Sequence, residues 1–96
     1  MTTEDRLKRK CVKWLKELSK ERGVWFFCPT DKFRSGIPDI IICVYGKFLW
    51  AELKAEKGKV TPIQAWTHDQ LNKAGARGIV ARNIDEFRDF VMAFII

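Results

Sequence analysis

Apolar residues recur along this chain with two periods, and the switches between them mark seven elements. Leu7, Cys11, Trp14, Leu15 and Leu18 repeat at helical spacing between Thr3, a capping hydroxyl, and Gly23, a stop signal, which predicts a first helix over residues 4–22. The run VWFFC at 24–28 reads as a buried strand that Pro29 ends, and PTDKFRSG after it reads as a polar loop. Residues 37–44 and 48–54 form two further strands joined by a tight turn at Tyr45-Gly46 or Gly46-Lys47, hence a hairpin. Thr61, Pro62 and Gln64 combine a cap, a first-turn proline and a Thr-x-x-Gln capping box, which opens a helix that should stop near Gly75. A short strand at 78–82 and a closing helix with Ile84, Phe87, Val91, Phe94 and Ile95 inward complete the order α-β-β-β-α-β-α.

The hairpin decides which side chains meet. A turn at Tyr45-Gly46 sets Asp39 opposite Glu52, whereas one at Gly46-Lys47 sets it opposite Lys54. Opposed residues share a face of a sheet, as do i and i+2 on one strand. In both registers Asp39, Glu52 and Lys54 are neighbours at one end of a face continued by Ile41, Cys43, Phe48 and Trp50. Ile40, Ile42, Val44, Leu49 and Ala51 make the opposite face equally apolar. A strand pair apolar on both sides needs helices on both sides, so the expected class is α/β, a mixed sheet between helices.

Composition narrows the class. Ninety-six residues, 47% of them hydrophobic, suit one compact domain over 1–96. No apolar run approaches the roughly 18 residues of a membrane span, so a soluble, cytoplasmic protein without a membrane partner is expected. Cys11, Cys28 and Cys43 lack zinc-knuckle or disulfide-framework spacing and read as small hydrophobes. The net charge is +6, and residues 1–34 hold ten Lys or Arg against five Asp or Glu. That imbalance points to a polyanion, with nucleic acid ahead of a membrane surface.

Two carboxylates and an ammonium at adjacent strand ends suit a hard divalent cation with an electrostatic group beside it. Such a metal lowers the pKa of a bound water and polarises a phosphate, so Asp39, Glu52 and Lys54 point to phosphodiester hydrolysis. The simpler alternative is an Asp39–Lys54 salt bridge at a strand end, with Glu52 solvated. These residues resemble the PD-(D/E)xK nuclease signature, with Pro38-Asp39 as its first half and Glu52-Leu53-Lys54 as its second. The expected element order is the core of that restriction-endonuclease-like fold. More specifically, the chain resembles the virus-type replication-repair nuclease (VRR-NUC) domains. Glu4, SGIPDIII, WAELKAEKGKVTPIQ and WTHDQLNKAGARGIVAR carry the likeness over essentially the whole chain.

The resemblance implies a DNA nuclease using Mg²⁺ or Mn²⁺ and no small-molecule cofactor. Small phage and bacterial members of the family resemble Holliday-junction resolvases and work as homodimers, while a eukaryotic relative cuts flaps. By it, Asp39, Glu52 and the Leu53 carbonyl are metal ligands, Lys54 is the catalytic lysine, Glu4 the helix-one acid and Gln64 an active-site glutamine. Glu17 and Glu21 are alternatives to Glu4, whose place in a first helical turn also suits the helix dipole. Gln64 equally closes its capping box. The expected DNA contacts are Lys10 and Lys13 on the first helix, Lys32, Arg34 and Ser35 in the polar loop, and Lys57 and Lys59 beyond the Glu-x-Lys strand. His68 is expected at the surface or hydrogen-bonded, and Trp14, Trp25, Trp50 and Trp66 in the core or at a dimer contact. Two other functions compete: a non-catalytic nucleic-acid binder on the same fold, and an adaptor that uses the apolar tail FVMAFII.

Overall fold

The computed structural model describes residues 1–30 and 35–95. Its elements are α1 (Thr3–Ser19), β1 (Val24–Phe27), β2 (Ile40–Val44), β3 (Lys47–Leu53), α2 (Pro62–Lys73), β4 (Arg77–Ala81) and α3 (Ile84–Met92), in the order that the hydrophobic pattern predicts. The ends differ. Thr2, not Thr3, caps α1: its hydroxyl accepts from Asp5 N–H at 3.1 Å, and Asp5 Oδ2 accepts from Thr2 N–H at 3.1 Å. The helix stops at Ser19, well before Gly23, because its last core-facing residue is Leu18 and the chain must then turn into β1. Tyr45 closes that corner by donating its N–H to Gly23 O at 2.8 Å.

Tyr45 and Gly46 both have positive φ, 48° and 83°, the signature of a type I′ turn whose twist matches that of paired strands. The pairing Val44↔Lys47 through Ile40↔Ala51 is therefore the first of the two registers, the one that sets Asp39 towards Glu52. The four strands lie in the order β1-β2-β3-β4. The first three are antiparallel, and β4, reached by a crossover through α2, runs parallel to β3.

The main core fills one side of the sheet. Ile40, Ile42, Val44, Leu49, Ala51 and Leu53 pack there against Leu7, Cys11 and Leu15 of α1 and Phe87 and Val91 of α3. Phe94 and Ile95 of the apolar tail also turn inward against this core. On the other side α2 covers Ile41 and Trp50, with Leu71 and Ala76 around them. A helix about 10 Å wide spans roughly two strands spaced about 4.8 Å apart, so a single helix leaves half of that side bare. Trp25 and Phe27 on β1, expected in a buried strand, are accordingly 63% and 44% exposed, and Phe48 is 47% exposed. Trp66 also faces out, at 61%; Trp14 instead packs edge-on against Phe87 with centroids 5.9 Å apart. Cys11 is buried and Cys28 and Cys43 half-buried, all as free thiols. No helix among the described residues is long and apolar enough to cross a membrane.

Candidate active site

The segment leading into β2 is fixed by a close approach. Gly36 has φ +83°, and a Cβ there would lie 2.7 Å from Ile63 O and Thr67 Oγ1 of α2, so only glycine lets this strand lead-in rest on the helix backbone. Pro38 behind it is fully buried. Asp39 thereby arrives at the mouth of the β2–β3 ladder, where its Oδ2 accepts the Leu53 N–H at 2.7 Å. Glu52 and Lys54 follow on β3 and beyond it, only 2% and 9% exposed. Asp39 and Lys54 enter no ion pair among the described residues, so the simple strand-end salt bridge does not form.

Two helices complete the site. Glu4, in the first turn of α1, accepts the Ala55 N–H through Oε1 at 3.2 Å. Asp39, Leu53, Glu4, Asp5 and Lys8 enclose a small polar cleft of about 90 Å³. Glu17 and Glu21, the alternatives to Glu4, are not among its walls. From α2, Gln64 serves both of its expected uses. Its Oε1 accepts the Thr61 N–H at 2.9 Å, closing the capping box, while its Nε2 donates to Glu52 Oε2 at 3.4 Å. The loop after Lys54 is held from below by Arg82, whose Nη1 donates to the carbonyls of Ala55 (2.8 Å), Glu56 (3.2 Å) and Gly58 (2.6 Å).

The electrostatics follow from this crowding. Burial pushes the Glu52 carboxyl up to about 8, helped by its hydrogen bond with Asp39 and by the charges of Asp39 and Glu4; Lys54 opposes the rise. Among the described residues no three His, Cys, Asp or Glu side chains already stand at metal-ligating spacing. The donor chemistry nevertheless fits a hard divalent cation. Asp39 and Glu4 line the small polar cleft and their charges act on Glu52 beside it; a cation held there would relieve that repulsion.

Two residues to which the sequence reading gave no role at the site also reach it, one of them, His68, through the hydrogen bond that was among its expected environments. His68 is 7% exposed and its Nε2 lies 3.0 Å from Glu52 Oε1. Its signal was its spacing: four residues after Gln64, it shares that residue's side of the helix. Lys8 borders the cleft, and with Asp5 it also borders a larger open groove, about 680 Å³, lined further along α1 by Arg9, Val12, Lys13 and Lys16. Lys10 lies away from the cleft, beside Ile84 and Arg88 in a groove that Lys13 also lines. Ser35, Lys57 and Lys59 are exposed; Lys32 and Arg34 lie outside the described residues.

Two solved structures resemble this chain over nearly its full length. One, named "VRR_NUC domain", aligns with a TM-score of 0.74 at 25% identity, covering 98% of this chain and 99% of its own. A "VRR_NUC domain protein" aligns with a TM-score of 0.75 at 25% identity, covering 99% and 89%. No protein-family model matches the sequence, and no curated protein matches it significantly. The fold is thus the one that the sequence resemblance implies, and it suggests a nuclease of the PD-(D/E)xK type.

Proposed function

We propose that this chain, built on the fold of VRR_NUC domains, is a divalent-metal-dependent endonuclease that hydrolyses phosphodiester bonds in branched DNA, in the manner of a Holliday-junction resolvase. One observation carries the proposal: Asp39, Glu52, Lys54, Glu4 and Gln64 gather from two strands and two helices at one end of the sheet, around a buried carboxylate with a raised pKa. Structural ion clusters rarely bury an acid beside two others, whereas catalytic sites do so to hold a metal or a proton.

In this proposal Asp39, Glu52 and the Leu53 carbonyl would hold Mg²⁺ or Mn²⁺, which would supply an activated water and polarise the phosphate. To hold the cation Glu52 would have to be ionised, as a ligating carboxylate must be. Lys54, buried next to them, orients the attacking water or offsets the negative charge that builds on the phosphate. Glu4 ties α1 to the loop after Lys54 and adds carboxylate character to the cleft. Lys8, Arg9, Lys13 and Lys16 form a basic track running from the cleft along α1, suited to a phosphate backbone. Lys10, Ser35, Lys57 and Lys59, with Lys32 and Arg34, complete the DNA contacts. Two symmetric cuts on a four-way junction call for a homodimer, and the bare aromatic half of the sheet, with Trp25, Phe27 and Phe48, favours that assembly.

The test compares four-way junction, flap, single-stranded and linear duplex DNA, incubated with Mn²⁺ or with EDTA. Metal-dependent cutting concentrated on the junction is expected, and Asp39→Ala and Lys54→Ala should each lower it by roughly 100-fold or more while binding persists. Cleavage retained by both purified variants, or unaffected by EDTA, would rule the proposal out.

A further inference from the structure

Glu52 meets α2 at two points, and the proposed function gives the second no task. Gln64, His68 and Asn72 are spaced four apart and form one row along the sheet-facing side of α2. Each reaches β3. Gln64 Nε2 donates to Glu52 Oε2 at 3.4 Å, His68 Nε2 lies 3.0 Å from Glu52 Oε1, and Asn72 Oδ1 accepts the Trp50 Nε1–H at 3.0 Å. Trp50 and Glu52, two residues apart on one strand, share the face that receives them. The indole of Trp50 stacks on the imidazole of His68, with ring centroids 4.0 Å apart and planes 16° from parallel. Behind the indole stands Gly78, its partner in the parallel register, where any Cβ would overlap the ring. The indole is therefore pinned between a strand backbone, a helix asparagine and the imidazole.

We infer that His68 is a positioning residue for the metal site: clamped flat on Trp50, it donates its Nε2–H to Glu52 Oε1 and fixes the direction in which that carboxylate presents its oxygens. The inference rests on the nuclease proposal, since it gives Glu52 a metal to hold. Two geometric facts favour it over a merely packed histidine. The His68 contact is the shorter of the two that Glu52 makes with α2, and a carboxylate held at both oxygens from one helix has a single orientation. The imidazole in turn has its plane set by an indole that is itself hydrogen-bonded, a chain of support with no slack at the carboxylate end. An imidazole that carries its proton on Nε2 is the donor an ionised, metal-holding Glu52 would accept from. Outer partners of this kind typically change metal affinity by about 10–100-fold when removed.

The experiment titrates Mn²⁺ calorimetrically into the native protein, His68→Phe and His68→Gln, with thermal melts of each in EDTA. Phenylalanine keeps the stack on Trp50 and loses the N–H; glutamine keeps an N–H at a similar reach. Mn²⁺ binding weakened about 10–100-fold in His68→Phe and close to native in His68→Gln supports the inference, most directly if the metal concentration for half-maximal junction cutting moves in step. Equal Mn²⁺ affinity in His68→Phe and native protein, or equal weakening in both variants, overturns it and leaves the nuclease proposal standing. A native protein that neither binds Mn²⁺ nor cuts DNA overturns both.

Discussion

Glu52 concentrates the chemistry of the site in one side chain. Its carboxyl is pushed up to about 8 by burial and by Asp39 and Glu4, so the folded metal-free protein holds a proton that the unfolded chain releases near 4.5. Folding is then favoured by that proton below the unfolded value, and the contribution is lost as pH rises through about 8. His68 acts with the opposite sign: burial and Lys54 lower its pKa, so its contribution is present above 6.5 and is lost at lower pH. Between pH 6.5 and about 8 Glu52 therefore dominates, and the melting temperature in EDTA should fall as pH rises. Saturating Mn²⁺, which needs the ionised form, should flatten or reverse that fall, and Glu52→Gln should abolish it. Melts of native and Glu52→Gln protein across this window check each point.

At the scale of elements, the site depends on how β2 enters the sheet beneath α2. Gly36 rests against Ile63 O and Thr67 Oγ1 with positive φ, and three residues later Asp39 meets the Leu53 N–H. Gly36→Ala would place a methyl group against helix backbone in a strained conformation, at a cost of roughly 1–3 kcal/mol. Because β2 and α2 would be pushed apart, cleavage should drop along with stability, which denaturant melts and junction assays can follow side by side. The opposite end of the hairpin should be less sensitive: a side chain at Gly46 is strained by the same positive φ, but its Cβ would meet nothing within 4 Å.

For the whole molecule, what counts is where charge and apolar surface are left uncovered. The chain carries +6, and Lys8, Arg9, Lys13 and Lys16 line a groove continuous with the cleft through Asp5 and Lys8. Junction affinity should fall steeply with salt, and Lys13→Ala and Lys16→Ala should each reduce the slope of log K against log salt by about 1, without altering cutting of bound DNA at saturation. Unchanged slopes would remove this track from the DNA footprint. The other uncovered surface, among the described residues, is the aromatic patch of Trp25 and Phe27 on β1 and Phe48 on β3, which one crossover helix does not reach.

Local pattern determined much of this protein. Helical periods, the capping box at Thr61, the hairpin and its two allowed registers follow from neighbours within a few positions, because capping and pleating are local physics. The adjacency of Asp39, Glu52 and Lys54 followed too, since both registers share it. Choosing between the registers needed the Tyr45 backbone: Gly46 fits either turn, and only the folded hairpin shows a non-glycine residue taking the left-handed conformation. Burial of His68, and with it the grip on Glu52, depends on which face of β3 receives α2, a contact between residues 16 apart in sequence. The exposure of Trp25 and Phe27 and the place of Lys8 beside the cleft arise in the same way. Sequence states which side chains an element offers to each of its faces; only the packing of elements decides which faces are covered, and therefore which side chains meet.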